Sequence, residues 1–328
     1  MIRVLELNIE NAAEYLKHRG IAMAAPAISE LGGGVSNTVL LVETDTRRFV
    51  MKQALGKLRV KQEWLADRSR IFRESAALRK LAQHLPDGSL PEVLFEDRDN
   101  FIFAMSAAPA ASVCWKELLL NGEIRVEAAE RVGVLLARMA SVSWRNPAWE
   151  TEFGDQTVFD QLRIDPYYRA AARRHPDLAP AAVRLIEESA ARRVSLVHGD
   201  WSPKNFLVDG NHIMAIDFEV IHFGDPSFDS AFLLNHLLLK SFHRPQWADS
   251  YAQAAAGFWR KYRDGVPREG WIEPATLQHL GWLMLARVDG KSPAEYLREP
   301  AIQDRVRRFA RDLIVSPPNS VAEVFGKI

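Results

Sequence analysis

SLVHGDWSPKNFLVDGNHIMAIDFEVIHFGDPSFD, Ser195 to Asp229, gathers most of the chain's chemistry-bearing side chains into two bends and a ribbon. A short apolar strand, Leu196-Val197, runs into His198-Gly199-Asp200, and a second acidic group, Asp217-Phe218-Glu219, follows the apolar run Ile213 to Ile216. Asp209-Gly210, between Phe206-Leu207-Val208 and that run, is a hairpin signal. Pairing Phe206 with Ile216 would set Asn205 and Asp217 side by side at the open end, with Asp200 in the loop leading in. A carboxylate, a carboxamide and a second carboxylate at the mouth of apolar strands form a hard-oxygen set of the kind that holds magnesium beside a phosphate. A slip of one residue in register would weaken the pairing without dispersing the cluster.

The spacing sharpens the chemistry. Asp200 is followed by four residues and then Asn205. In the phosphoryl-transfer loop with that spacing, the aspartate accepts the proton of the attacking hydroxyl and the asparagine holds a metal. Asp217 falls where a second metal-binding aspartate belongs, and Glu219 adds a further oxygen, directly or through water. Any one of Asp200, Asp209 and Asp217 alone reads as an ordinary turn residue. Spacing, strand context and residue type agree independently for the set, which makes the constellation the stronger reading.

HGDWSPKN followed by IDFE and GDPSFD resembles the aminoglycoside phosphotransferase and choline kinase superfamily. The resemblance implies an α+β, bilobal, protein-kinase-like fold: an N-lobe at residues 1–107 with a small antiparallel β-sheet and one main helix, and a larger, mostly helical C-lobe at 108–328. It implies ATP and Mg2+, backbone groups of Met105 and Ala107 at the adenine, and Asp229 bracing the catalytic loop. Within the superfamily, Val50 to Glu74 and the acid in Asp217-Phe218-Glu219 resemble methylthioribose kinases. Those enzymes carry paired arginines that meet the substrate; Arg287 matches one of them, and Ala286 stands where the other would be.

The bulk properties fit such a protein. At 328 residues, 48% apolar, the chain is long enough for two lobes. Its 42 basic and 42 acidic residues leave no net field to favour nucleic acid or an anionic membrane. The single cysteine, Cys114, excludes an internal disulfide and fits a reducing compartment. The N-terminal stretch lacks the apolar core of a signal peptide, and no run approaches a membrane span, so a cytoplasmic location is expected. The sequence leaves the oligomeric state open.

In chain order, residues 5–19 read as an amphipathic helix with Ile9, Ala12, Ala13 and Leu16 on one face. Gly33 and Gly34, with Ser36 and Asn37 after them, lead into the strand Thr38–Val42. Glycines there let backbone N–H groups approach phosphate oxygens, although a run of glycines alone is an ordinary turn signal. Arg48–Lys52 returns as a second strand. Over Ser69–Leu85, Glu74, Leu78, Leu81 and Leu85 recur at helical spacing, which puts a carboxylate on an apolar stripe. An inward acid needs a cation. Lys52 is the expected partner, in the pairing that positions ATP phosphates in kinases; Glu63, the competing acid, lies in a polar connection.

Pro91–Phe95 and Phe101–Met105 read as further strands, and Ser106–Ala110 as a hinge. Beyond it, Val126–Met139, Pro176–Ala191 and Ser230–Leu239 read as helices, Pro147 and Pro166 as breaks, and Trp247–Leu313 as helical with an aromatic core.

These readings converge on ATP- and Mg2+-dependent transfer of the γ-phosphate to a hydroxyl of a small polar metabolite: a sugar, an aminoglycoside or an amino alcohol. Asp200 is the catalytic residue, Asn205, Asp217 and Glu219 the metal ligands. Trp201, beside Asp200, is expected to stack on a ring of the acceptor, Arg287 to contact the acceptor, and His198 to buttress the loop. A kinase-shaped nucleotide-binding module without catalysis is the alternative. A two-metal phosphoesterase would need further clusters of His or Asp.

Overall fold

The computed structural model describes residues 4–21, 25–32, 36–57, 59 and 67–327; Gly33, Gly34 and Glu63 lie outside the described residues. The chain divides into two compact units, Met1–Ala110 and Ala111–Ile328.

The first unit is a five-stranded antiparallel sheet in the order β1-β2-β3-β5-β4. Its strands are β1 (Ala27–Glu30), β2 (Asn37–Glu43), β3 (Arg48–Ala54), β4 (Val93–Asp97) and β5 (Ile102–Ser106), with helices α1 (Ile9–His18) and α2 (Arg70–Leu81). The central strands β3 and β5 are buried along almost their whole length, which is why they read as continuous apolar runs. Their two-residue period sorts the side chains. Phe49, Met51, Ile102 and Ala104 pack with Ala12, Tyr15 and Leu16 of α1. Gln53, on the same parity, accepts from Leu7 N (2.7 Å) and donates to the carbonyls of Leu5 and Asn100 (2.6 and 2.8 Å). Lys52 has the opposite parity, and its partner comes from α2.

Two expectations are corrected in this unit. Asn8 caps α1 through a reciprocal box with Asn11, so Ile9 is the first helical residue; it is 48% exposed, and Tyr15 takes its place in the core. Strand β1 has no counterpart in the sequence reading, because an edge strand of four largely exposed residues carries no apolar alternation.

The second unit is mostly helical. It carries two small antiparallel sheets, β6 (Val113–Cys114) with β8 (Phe206–Asp209) and β9 (His212–Ala215), and β7 (Ser195–Val197) with β10 (His222–Gly224). The helix Ser227–His243 is buried from Ser227 through Phe242 and forms the centre of the unit. Pro166 does not break the chain. It lies inside a π-helical segment, Asp160–Arg169, which continues into the helix Ala170–Arg174. Among the described residues no helix is long and apolar enough to cross a membrane.

The hairpin register also differs from expectation. Phe206 pairs with Ala215 and Asp209 with His212, so the turn is Gly210-Asn211, with Gly210 at φ +55°. Beyond the ladder the Ile216 N–H donates to the Asn205 carbonyl (3.0 Å), which leaves Asp217 one residue past the pair.

Candidate active site

In the first unit, Nζ of Lys52 lies 2.7 Å from Oε2 of Glu74, and both side chains are buried. The strand parity and the helical stripe required this meeting. At the N-terminal end of β2, Arg70 of α2 donates from Nη2 to the carbonyls of Ser36 (2.6 Å) and Leu55 (3.0 Å), and from Nη1 to Asp67 O (2.7 Å). The Asn37 amide donates to Ser36 Oγ at 3.0 Å. The start of β2 is therefore tied to the helix that carries Glu74. Met105 pairs with Val50 and Val93, and the Ala107 N–H reaches Arg48 O only at 3.5 Å.

In the second unit, the bend at His198-Gly199-Asp200 is fixed from several sides. Gly199 has φ +77°, and a Cβ there would stand 2.7 Å from Cγ1 of Val220, so the bend takes glycine alone. Asp229, at the start of the central helix, accepts from His198 N (2.6 Å) and Gly199 N (2.9 Å). Burial pushes its carboxyl up to about 7 against the pull of those two N–H groups. Nδ1 of His198 accepts from Asp200 N (3.1 Å), and its Nε2 contacts Ile216 O at 3.2 Å. Those roles define a neutral ring, and burial holds its pKa at about 4 despite Asp200 and Asp217. His198 is a buttress joining the bend to the end of the hairpin.

Asp200 is almost fully buried. Lys204 Nζ stands 2.8 Å and Arg163 Nη2 3.1 Å from its Oδ2. Burial opposes ionisation, but Lys204 and then Arg163 outweigh it and hold the carboxyl well below the usual carboxylate range. Arg163 also donates from Nε to Gly199 O and from Nη1 to Leu162 O (2.7 Å). Burial opposes its charge as well, and Asp200, Tyr167, Glu219 and Asp217 raise it above the ordinary value.

The metal candidates come together through the backbone. The Asn205 amide nitrogen donates to Asp200 O (2.8 Å), and the Asn205 carbonyl accepts from Ile216 N (3.0 Å), next to Asp217. Asp217 has φ +69°, a backbone state that costs a non-glycine residue about 1–3 kcal/mol and concentrates at functional sites. Phe218 behind it is buried 4.4 Å from the His198 ring, and Glu219 is buried as well. Among the described residues no three His, Cys, Asp or Glu side chains form a metal cluster by themselves, and the candidate set here includes a carboxamide.

Trp201 is 1% exposed, edge-on to His198 (5.2 Å) and Phe206 (4.8 Å). The expected stacking on an acceptor ring gives way to a packing role, because neither face of the indole is open. Arg287, 9% exposed, donates from Nη1 to Ser292 O (2.5 Å) and Oγ (2.9 Å) and lies 3.4 Å from the Tyr167 hydroxyl.

Three site residues escaped the sequence reading: Arg70, Arg163 and Lys204. Arg163 stands between Leu162 and Ile164 in a segment that also holds Asp160, Gln161 and Asp165, so no apolar stripe marks it in the sequence.

The sequence profile of the Phosphotransferase enzyme family matches residues 27–266. Methylthioribose kinase of Escherichia coli O45:K1 (strain S88 / ExPEC) is 28% identical over 259 residues, 70% of this chain and 61% of that protein. Methylthioribose kinase 2 of Oryza sativa subsp. japonica is 26% identical over 258 residues, 70% and 60% of the two chains. The chain spans about three-fifths of the length of these curated relatives. An amicoumacin kinase solved with AMP-PNP, Ca2+ and Ami has the same fold, with a TM-score of 0.55 at 15% identity over 92% of each chain.

Proposed function

The chain belongs to the phosphotransferase enzyme family, and we propose that it transfers the γ-phosphate of ATP to a hydroxyl of a small polar metabolite. One observation carries the reading. Asp200 stands in the D-x-x-x-x-N loop with both cations on Oδ2. Its Oδ1 has no hydrogen-bond partner among the described residues and is left for an acceptor hydroxyl.

Phosphoryl transfer asks the protein for positioning and charge neutralisation more than for covalent chemistry. A carboxylate held so firmly ionised is a weak base. Its work is to orient the hydroxyl and to take the proton late, when the oxygen has already bonded to phosphorus. Lys204, half-exposed beside it, offers a positive charge to the transferring group. Lys52, oriented by Glu74, holds the ATP phosphates, with Gly33, Gly34, Ser36 and Asn37 at the phosphate loop and backbone groups of Met105 and Ala107 at the adenine. Asn205 and Asp217, with Glu219 after them, fit a hard divalent cation, and magnesium there would neutralise phosphate charge. Arg287 contacts the acceptor.

A panel of sugars, including methylthioribose, aminoglycosides and amino alcohols, incubated with ATP and magnesium tests the reading. The expected result is acceptor-dependent ADP release with a product heavier by one phosphoryl group. Nucleotide binding without transfer to any acceptor would favour the inactive module, and phosphate release from esters a phosphatase.

A further inference from the structure

The central helix carries a polar stripe away from the Asp200 loop. Asp229, Phe232, His236 and Lys240 recur at intervals of three and four and share one face. Their contacts run in sequence. Asp229 pins Gly199, and the Phe232 ring lies 5.8 Å from the guanidinium carbon of Arg163 and 5.3 Å from the His236 ring. Lys240 Nζ then reaches the His236 carbonyl at 3.3 Å. A second line meets the first from the helix Ile272–Asp289: Arg287 contacts the hydroxyl of Tyr167, and the guanidinium carbon of Arg163 lies 5.9 Å from the same ring.

This region has cations in excess. Lys240 is fully buried, and its Nζ sits 5.3 Å from the Tyr296 ring with no carboxylate partner among the described residues. Glu295, the acid whose charge acts on it, is tied to Lys116. Nε of Arg287 and the hydroxyl of Tyr296 are buried without hydrogen-bond partners. Burial, with Lys116 and Arg287 adding to it, pulls Lys240 down to about 7. Buried donors without acceptors and a buried ammonium without an acid are costly to the fold, and an incoming anion would relieve both costs at once.

We propose that Lys240, Arg287 and the Tyr296 hydroxyl form an anion subsite for the phosphate acceptor, which is therefore a hydroxy compound bearing a carboxylate or a phosphate. The assignment rests on the phosphotransferase reading above and adds the acceptor's charge. A cationic amine is the wrong sign, since Asp200 is already matched by Arg163 and Lys204 and Glu295 by Lys116.

Four compounds on one skeleton test it: gluconate, glucose 6-phosphate, glucose and glucosamine. Binding is followed by calorimetry and by the ligand-induced rise in unfolding temperature, in the wild type, Lys240→Met and Lys240→Arg. One of the two anions should bind roughly ten- to a hundredfold more tightly than glucose or glucosamine, and Lys240→Met should abolish that preference. The tighter anion identifies the group as carboxylate or phosphate. Lys240→Arg should retain part of the preference. Lys240→Met exchanges a buried charge for an apolar chain of similar length, so it should unfold no earlier than the wild type without ligand, and ATP affinity should be unchanged. Equal binding of all four compounds, preference for glucosamine, no binding of either anion at millimolar concentration, or an anion preference that survives Lys240→Met would overturn the subsite. ATP-dependent phosphorylation of a neutral sugar, undiminished in Lys240→Met, would overturn it while leaving the kinase reading intact. Loss of ATP binding in the wild type would instead strike the kinase reading itself.

Discussion

Glu74 and Asp200 are both buried carboxylates with lysine partners, and the proposed mechanism uses them in opposite ways. On that proposal Glu74 steadies Lys52 and the lysine is offered to the phosphates, whereas Lys204 and Arg163 steady Asp200 and the carboxylate is offered to the acceptor. Asp200 is held by two cations, a glycine bend, a buried histidine and a second aspartate that grips the backbone. Glu74 meets its lysine from a packed helix.

Breaking the simpler pair should cost the most stability. Glu74→Ala removes the buried carboxylate 2.7 Å from the Lys52 ammonium and should lower unfolding free energy by about 3–5 kcal/mol in urea titrations. Lys52→Met with Glu74→Leu should recover most of that loss without recovering phosphoryl transfer. Recovery of transfer would show that the pair serves the fold alone.

The Asp200 loop should show its buttress through pH. The folded pKa of His198, about 4, lies below the ordinary 6.5, so the unfolded chain takes up the proton first on acidification. Its contribution is complete above pH 6.5 and is lost as pH falls to about 4, a change of about 3 kcal/mol. Asp200, also depressed, adds a further loss below the usual carboxylate range. Asp229, held up at about 7, gains stability as pH falls from 7 toward 4 and opposes His198 in that window, so the His198 share is read as the difference between wild type and His198→Gln in pH-dependent unfolding; no difference would mean the ring is not held neutral. Gly199→Ala should cost about 2 kcal/mol, since it meets Val220 and an unfavourable φ together. Arg163→Lys, which keeps the charge but loses the fork, should cost about 1 kcal/mol.

The same contrast explains what the sequence could and could not reveal. The Lys52–Glu74 pair was legible because a helical period exposes an acid on an apolar stripe and a strand period fixes which face its partner takes. The D-x-x-x-x-N spacing was legible because it is local. Arg163 was not, because a π-helical turn around Pro166 has no simple period, and the residue acts on a loop distant in sequence. The hairpin register failed by one residue because Asp209-Gly210 and Gly210-Asn211 are both acceptable turns, and the ladder chose the second. Trp201 was placed beside an acceptor because sequence adjacency to Asp200 says nothing about direction; its side chain turns into the core.

Single-turnover phosphoryl transfer by Asp200→Asn, with nucleotide affinity measured on the same protein, tests the central assignment most directly. The account predicts a rate lower by about 10²–10⁴-fold at unchanged ATP affinity, because an amide neither accepts the proton nor orients the hydroxyl as a carboxylate does. A variant that transfers phosphate at the wild-type rate would contradict it.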